Sequence, residues 1–152
     1  MQDVAFAALV HGVYVVTTRV GEKVNGMTAA WVSQVSLHPL LVTVSIAPPR
    51  YTHDLVKESG IFAVNVLTSE QVDLGKRFGY KSGRKVDKLA GLEWITAATG
   101  APILRQAYAY LDMKLVSTHA AGDHTLFVGE VVEAKILRPE ARPLVFQKTD
   151  FF

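Results

Sequence analysis

Residues 11–47 read HGVYVVTTRVGEKVNGMTAAWVSQVSLHPLLVTVSIA, and this stretch decides the fold class. β-Branched and aromatic residues crowd His11–Arg19, which reads as a strand. Val20-Gly21-Glu22-Lys23 supplies a turn, and Asn25–Val35 continues as a second strand. Leu40–Ala47 is a third, opened by Pro39 and closed by Pro48-Pro49. The two prolines stop strand pairing and force an extended turn.

Downstream of the prolines, Tyr51–Ser59 reads as a short helix, with Thr52 as its N-cap and Gly60 at the position where a glycine ends a helix. Ile61–Leu67 is a fourth strand. Thr68 or Ser69 is expected to cap a second helix that runs to about Phe78, with Glu70 and Gln71 early in it. Gly79–Gly91 is a basic, glycine-punctuated loop, and Gly100-Ala101-Pro102 marks a further turn. The last third predicts a long hairpin with arms Tyr108–Thr118 and Thr125–Leu137. Ala121-Gly122-Asp123-His124 forms its tip, where Gly and Asp accept turn angles. Pro143–Gln147 suits a final edge strand. The expected chain is mainly β, with at least six mostly antiparallel strands and two or three short helices. Several strands are apolar on both faces, which calls for a closed barrel with covering helices or a barrel buried in a dimer.

The chain has 152 residues, of which 49% are apolar and 20% charged, the composition of an ordinary globular protein. That length predicts a single domain over residues 1–152. No run approaches the roughly 18 to 20 apolar residues of a membrane span. Asp3, with no basic flank before residues 5–10, does not fit a signal peptide. Cysteine is absent, which excludes disulfides, thiolate catalysis, cysteine-held zinc and iron–sulfur clusters, and fits the cytoplasm. A formal charge of +2 makes no bulk electrostatic case for a nucleic acid or a membrane partner. The charge is uneven, however. Lys76, Arg77, Lys81, Arg84, Lys85 and Lys88 place six of the 16 basic residues in one stretch, opposed only by Asp87. This run fits either a solvated loop or a site for a phosphate-bearing ligand.

Groups for hydrolysis or nucleotide-driven transfer are scarce. The five histidines, at 11, 38, 53, 119 and 124, are scattered, and no metal site is expected. There is no nucleophile elbow, no phosphate-binding P-loop and no dinucleotide fingerprint. A cofactor carrying its own reactivity would need little acid–base help from such a chain.

An ordered set of motifs points the same way. It comprises Gly12–Thr18, Asn25–Trp31, Ser36–Ile46, Thr52-His53, Glu58–Leu67 and Gly122–Val131. Together these resemble the flavin reductase-like family of FMN-binding split barrels, over nearly the whole chain. Phe78–Arg84 with Asp87-Lys88 is similar to the branch containing archaeal ferric reductase and the flavin domain of high-molecular-weight rubredoxin. The resemblance implies an antiparallel, Greek-key-like split β-barrel that binds FMN, with FAD as an alternative. It implies electron transfer from NADH or NADPH to free flavin, to iron or to a partner redox protein. A rubredoxin-type acceptor would be a separate protein, since no cysteines are present to hold its iron. A homodimer is implied as well. The alternative is a flavoredoxin-like FMN electron carrier that does not itself oxidise nicotinamide. Met27–Trp31 departs from the Thr-Ala or Val-Ser-Ala-Phe pattern of the monooxygenase-partner members, which leaves the acceptor open.

The resemblance also implies site residues. Thr28, Ala29, Ala30 and Trp31 would line the isoalloxazine edge, where small side chains let a flat ring approach the backbone. The same residues suit a plain core strand, and Trp31 suits a dimer interface. Ser45, Ile46 and Ala47 would face the flavin and its ribityl chain, or simply end a strand. Arg50 and Thr52 stand at a helix start, where open N–H groups suit a phosphate. Lys81, Ser82, Arg84 and Lys88 are candidates for the same phosphate. Gly122, Asp123 and His124 would lie beside the nicotinamide. His124 is the expected catalytic residue, orienting the nicotinamide or donating to the charge that develops on the flavin. Turn chemistry alone also accounts for Gly122 and Asp123.

Overall fold

The computed structural model describes residues 2–152. The chain opens with α1 (Gln2–Phe6), then β1 (Tyr14–Val20), β2 (Lys23–Ala29), β3 (Val32–Ser36) and β4 (Leu41–Ile46). Next come α2 (Tyr51–Ser59), β5 (Ile61–Val66) and α3 (Val72–Tyr80). The short β6 (Trp94–Ile95) and β7 (Ile103–Leu104) pair with each other. The long hairpin β8 (Ala109–Ala121) and β9 (His124–Ile136) and the terminal α4 (Lys148–Phe151) complete the chain.

Seven strands form one antiparallel sheet in the order β2-β1-β5-β8-β9-β4-β3. Two strands consecutive in sequence, β2 and β3, therefore lie at opposite edges. Only Ala30 and Trp31 separate them, so the sheet must curl until its edges almost meet. The core records that closure. Met27 of β2 and Val44 and Ile46 of β4 pack in one cluster with Val16, Phe62 and Phe127, beneath Val56 of α2. Val15 faces the other way, into a second cluster with Phe78 of α3, Leu67, Leu104 and Phe151. Val15 and Val16 are both fully buried, so β1 is covered on both faces, as its apolar run requires.

The architecture is the expected mainly β split barrel, with several local corrections. The expected single strand Asn25–Val35 is two strands. Ala29 pairs with Tyr14 and Val32 with Val44, so the chain changes partners at Ala30-Trp31. No glycine or proline marks the change, because β composition suits both sides of it. The first strand begins at Tyr14 rather than His11. Residues 11–13 bond instead to the C-terminal segment, through Val13 N–H to Leu144 O and Phe146 N–H to His11 O. For the same reason Pro143–Gln147 is not a strand. It makes single bridges to Gly12 and Thr68, alternating between neighbours. The helix expected from Thr68 or Ser69 begins at Val72. The Thr68 hydroxyl accepts from the Glu70 N–H and the Gln71 side chain from the Thr68 N–H, which makes a turn of residues 68–71. Four helical segments occur among the described residues, because α1 and α4 add to α2 and α3. The helix Tyr51–Ser59 has the expected bounds and ends on Gly60 at φ 71°, the left-handed conformation that glycine accepts.

The barrel interior tolerates little added volume at Gly129 of β9. A Cβ there would lie 2.7 Å from Phe62 Cζ and 3.0 Å from Met113 Cβ, both in fully buried side chains. Gly129→Ala is expected to destabilise the protein by about 1–3 kcal/mol, the usual range for overpacking. Chemical denaturation followed by circular dichroism checks this, and an unchanged midpoint would show that Phe62 can yield.

Candidate functional site

A cavity of about 200 Å³ lies where the first turn of α2, the C-terminal end of α3 and the loop after it converge. Its walls carry three cationic side chains: Arg50, Lys81 and Lys88. Lys88 is only 4% exposed, and its Nζ donates to the Phe78 carbonyl at 3.0 Å. That carbonyl belongs to the last turns of α3, where the helix dipole favours a cation. Burial, and secondarily the nearby Arg50 guanidinium, lower the Lys88 pKa to about 8. Burial lowers the Arg50 pKa as well. Two cations in one desolvated recess with no carboxylate among its lining residues match a bound anion.

The loop is built to hold this arrangement. Arg77 of α3 donates to the carbonyls of Lys88 and Ala90, tying the loop back to the helix. Gly83 passes so close to Asn25 that a Cβ would fall 2.0 Å from Asn25 Oδ1. Asn25 in turn donates from Nδ2 to Thr52 Oγ1 at 2.9 Å. Thr52 is therefore not the N-cap. Arg50 holds that position, and no side chain caps the helix. The Thr52 hydroxyl is taken by Asn25 because it points into the buried cavity wall rather than back along the helix.

A second cavity, of about 280 Å³, adjoins the first and shares Arg50, Gly79 and Tyr80 with it. Its lining is small and apolar, including Ala29 and Ala30 at the strand change and Phe146 and Phe151 from the C-terminal segment. The Thr28 hydroxyl donates to the Gly75 carbonyl, fastening β2 to α3. The Tyr80 hydroxyl donates to the Phe151 carbonyl, fastening α3 to α4. The pair of cavities suits a ligand with a flat apolar body and an anionic tail.

The remaining candidates form a separate neighbourhood at the hairpin tip. The Trp31 and His124 rings are 4.9 Å apart, and Trp31 is 54% exposed. His124 Nδ1 lies 2.7 Å from Asp123 Oδ1, and this contact holds the Asp123 carboxyl below its usual range. The Ser45 N–H donates to the Trp31 carbonyl, and Ile46 pairs with Thr125, so the end of β4 flanks this cluster. Ile46 itself points into the core and Ala47 accepts from the Arg50 N–H, so neither reaches the two cavities.

Of the sequence candidates, Arg50, Thr52, Lys81, Ser82 and Lys88 come together in the cationic cavity, and Thr28, Ala29, Ala30 and Arg50 in the apolar one. Trp31, Ser45, Gly122, Asp123 and His124 gather at the tip. Arg84 joins none of these sets. It lies 4.8 Å over the Tyr51 ring, donates to the Pro49 carbonyl and pairs with Asp54 at 3.6 Å. Asn25, Tyr80 and Phe151 line the cavities without having been candidates. In sequence Asn25 reads as an ordinary strand residue, and Phe151 reaches the site only through tertiary packing.

A split antiparallel barrel with a cation-lined recess opening onto a small-residue shelf defines a nucleotide-flavin-binding barrel. The chain belongs to the flavin reductase like domain family, whose description matches residues 6–152. It is 37% identical over 136 residues to a ferric-chelate reductase (NAD(P)H) of Archaeoglobus fulgidus, covering 88% of this chain and 80% of that protein. It is 35% identical over 139 residues to a high molecular weight rubredoxin of Moorella thermoacetica, covering 90% of this chain but 61% of that protein. Among solved structures it superposes on an FMN-binding protein of Thermus thermophilus with a TM-score of 0.80 at 39% identity, covering 84% of this chain and 73% of that one. An NADH:FAD oxidoreductase of Streptomyces globisporus gives 0.87 at 30% identity, covering 94% and 85%.

The two cavities fit the group this family implies. Arg50, Lys81 and Lys88 would hold the phosphate, and the shelf at Ala29-Ala30 would take the ring. Phosphate favours charged Lys88, so binding raises its pKa above the unliganded value of about 8. FMN affinity should therefore be full below that pH and fall as pH rises through it. Lys88→Met should weaken FMN binding and flatten the pH profile, while riboflavin affinity stays unchanged. Fluorescence titrations of both ligands from about pH 7 to 10 check this, spanning the shifted and ordinary lysine ranges.

Proposed function

We propose that this chain is an NAD(P)H-dependent flavin and ferric reductase. On this reading, residues 1–152 form one flavin reductase-like domain that works in the cytoplasm as a homodimer. It takes electrons from NADH or NADPH and passes them to free flavin, to a ferric complex or to a separate redox protein. Family membership and the similarity to the Archaeoglobus reductase support the reaction class. The observation that carries the reading is the joined pair of cavities, cationic at one end and small and apolar at the other.

Bound flavin supplies the hydride-accepting ring. The protein's task is to hold and shield it. Arg50, Lys81 and Lys88 fix the phosphate end, and the small side chains at Ala29 and Ala30 let the ring lie on the backbone. Trp31 and His124 offer an exposed aromatic pair on the tip side, suited to a nicotinamide. The Asp123 carboxylate only accepts hydrogen bonds, so His124 Nδ1 carries a proton and Nε2 is left to face the reactants. When protonated, Nε2 donates to charge that develops in the transition state.

The dimer accounts for apolar surface that the barrel leaves uncovered. Val35, Leu37 and Leu40 in and after β3 are exposed, as are Val116, Val132 and Ile136 on the long hairpin. Light scattering at micromolar protein should give twice the chain mass, with an interface above the roughly 2,000 Å² of obligate pairs.

The direct test of the reaction is anaerobic stopped-flow bleaching of the flavin by NADH and NADPH. Wild-type protein should bleach. His124→Ala should retain FMN but bleach more slowly by roughly one to two orders of magnitude, the range of positioned groups. Protein that binds FMN but is never bleached by nicotinamide would be an electron carrier instead.

A further inference from the structure

Helix α2 touches both neighbourhoods of the site with consecutive residues. Thr52 faces the cationic cavity. His53 faces the hairpin tip. His53 is 5% exposed, and both its ring nitrogens are engaged. Nδ1 lies 3.1 Å from Asp54 Oδ1, and Nε2 lies 2.8 Å from Thr125 Oγ1. The ring meets Phe127 edge-on at 5.0 Å. Asp54 is paired in turn with Arg84, which grips Pro49 and Tyr51. A line of four side chains, Arg84–Asp54–His53–Thr125, thus runs from the basic loop to the residue next to His124.

We propose that His53 is a positioning residue of the nicotinamide side of the site: by pinning Thr125 to α2 it sets where His124 stands against Trp31. The argument rests on strand alternation. Successive side chains of β9 point to opposite faces. Thr125 and Phe127 share the face that His53 covers, and His124 points the other way, toward Trp31. Fixing Thr125 on one face fixes His124 on the other. The sheet pairs Thr125 with Ile46 of β4 and Ala120 of β8, and its support thins beyond that residue. The Ile46–Thr125 pair is the last between β4 and β9, and His124 pairs only with Ala121 across the turn. The His53–Thr125 bond is the last side-chain anchor before the tip.

The hydrogen-bond sense is set by the partners. Asp54 only accepts, so Nδ1 donates to it, and in the neutral ring Nε2 accepts from the Thr125 hydroxyl. Protonation of His53 would reverse that bond, since a hydroxyl both donates and accepts, but would not remove it. The contact is a positional strut in either protonation state of the ring.

This inference builds on the proposed role of His124, so its test includes a measurement that needs no activity. In the flavin-free 152-residue chain, the imidazole protons of His124 should carry a ring-current shift from Trp31, readable by proton NMR and identified by its absence in His124→Ala. Thr125→Val and His53→Asn should each abolish most of that shift. His53→Gln, whose carbonyl reaches the place of Nε2, should retain it. In the flavin-loaded protein, Thr125→Val and His53→Asn should slow bleaching at saturating NADH on the order of tenfold, with FMN affinity unchanged. The double variant should be no slower than either single one, because the two act through one contact. An unchanged His124 shift in Thr125→Val and His53→Asn overturns the inference even where His124→Ala slows bleaching, which leaves the reductase reading standing. Wild-type protein that neither NADH nor NADPH can bleach overturns the reductase reading, and the His124 shift still decides what His53 positions.

Discussion

The structure depends on a two-residue link. Ala29 ends one edge strand of the seven-stranded sheet and Val32 begins the other. Three Cα steps span at most about 11 Å, so the two edges cannot be farther apart than that. A flat or gently twisted sheet of seven strands would hold its edges several strand spacings apart, near 4.8 Å each. Curling is therefore compulsory, and the apolar interior built from β2, β4, β5 and β9 is its energetic reward. The two edges do not pair with each other. The link itself is held by Val32 N–H to Ala30 O and by Ser45 N–H of β4 to Trp31 O. The split left there is where the small residues of the apolar shelf and the aromatic of the tip emerge, one on each side.

Electrostatics then specialise one end of the split. Cations are costly to bury, and the recess holds Lys88 almost fully enclosed beside Arg50. The α3 carbonyl at Phe78 offsets part of the cost without neutralising the charge. An acidic side chain would have stabilised the empty fold more, but it would have repelled an anionic ligand. On the proposed reading, the recess gives up stability in the empty protein for attraction toward a phosphate, a common condition of binding sites.

Helix α2 joins the two ends. Its first turn carries Arg50 and Thr52 to the recess, and the next residue, His53, reaches across to β9. Arg84 explains itself in this frame. As a cation in a basic run it suggested phosphate contact, yet it braces the helix start through Pro49, Tyr51 and Asp54. A charge run does not say which of its members point inward. That depends on which side chains fit beneath the loop, and Lys88 lies there while Arg84 stays on the rim.

Local chemistry by itself determined much of this protein. The β-rich runs, the helix from Tyr51 to Gly60 and the Gly122-Asp123 turn follow from residue propensities acting over a few neighbours. The ordered motifs carried the family and with it the barrel. What short-range preference could not decide is where the chain changes partners. Asn25–Val35 is β-prone throughout, and only long-range pairing with Tyr14 on one side and Val44 on the other breaks it at Ala30-Trp31. The same holds for Asn25 against Thr52, for Phe151 beside Gly75 and for His53 against Thr125. Each contact joins residues more than twenty positions apart. A side chain's partner at that distance is set by how the sheet curls and where the helices land on it, which no local pattern encodes.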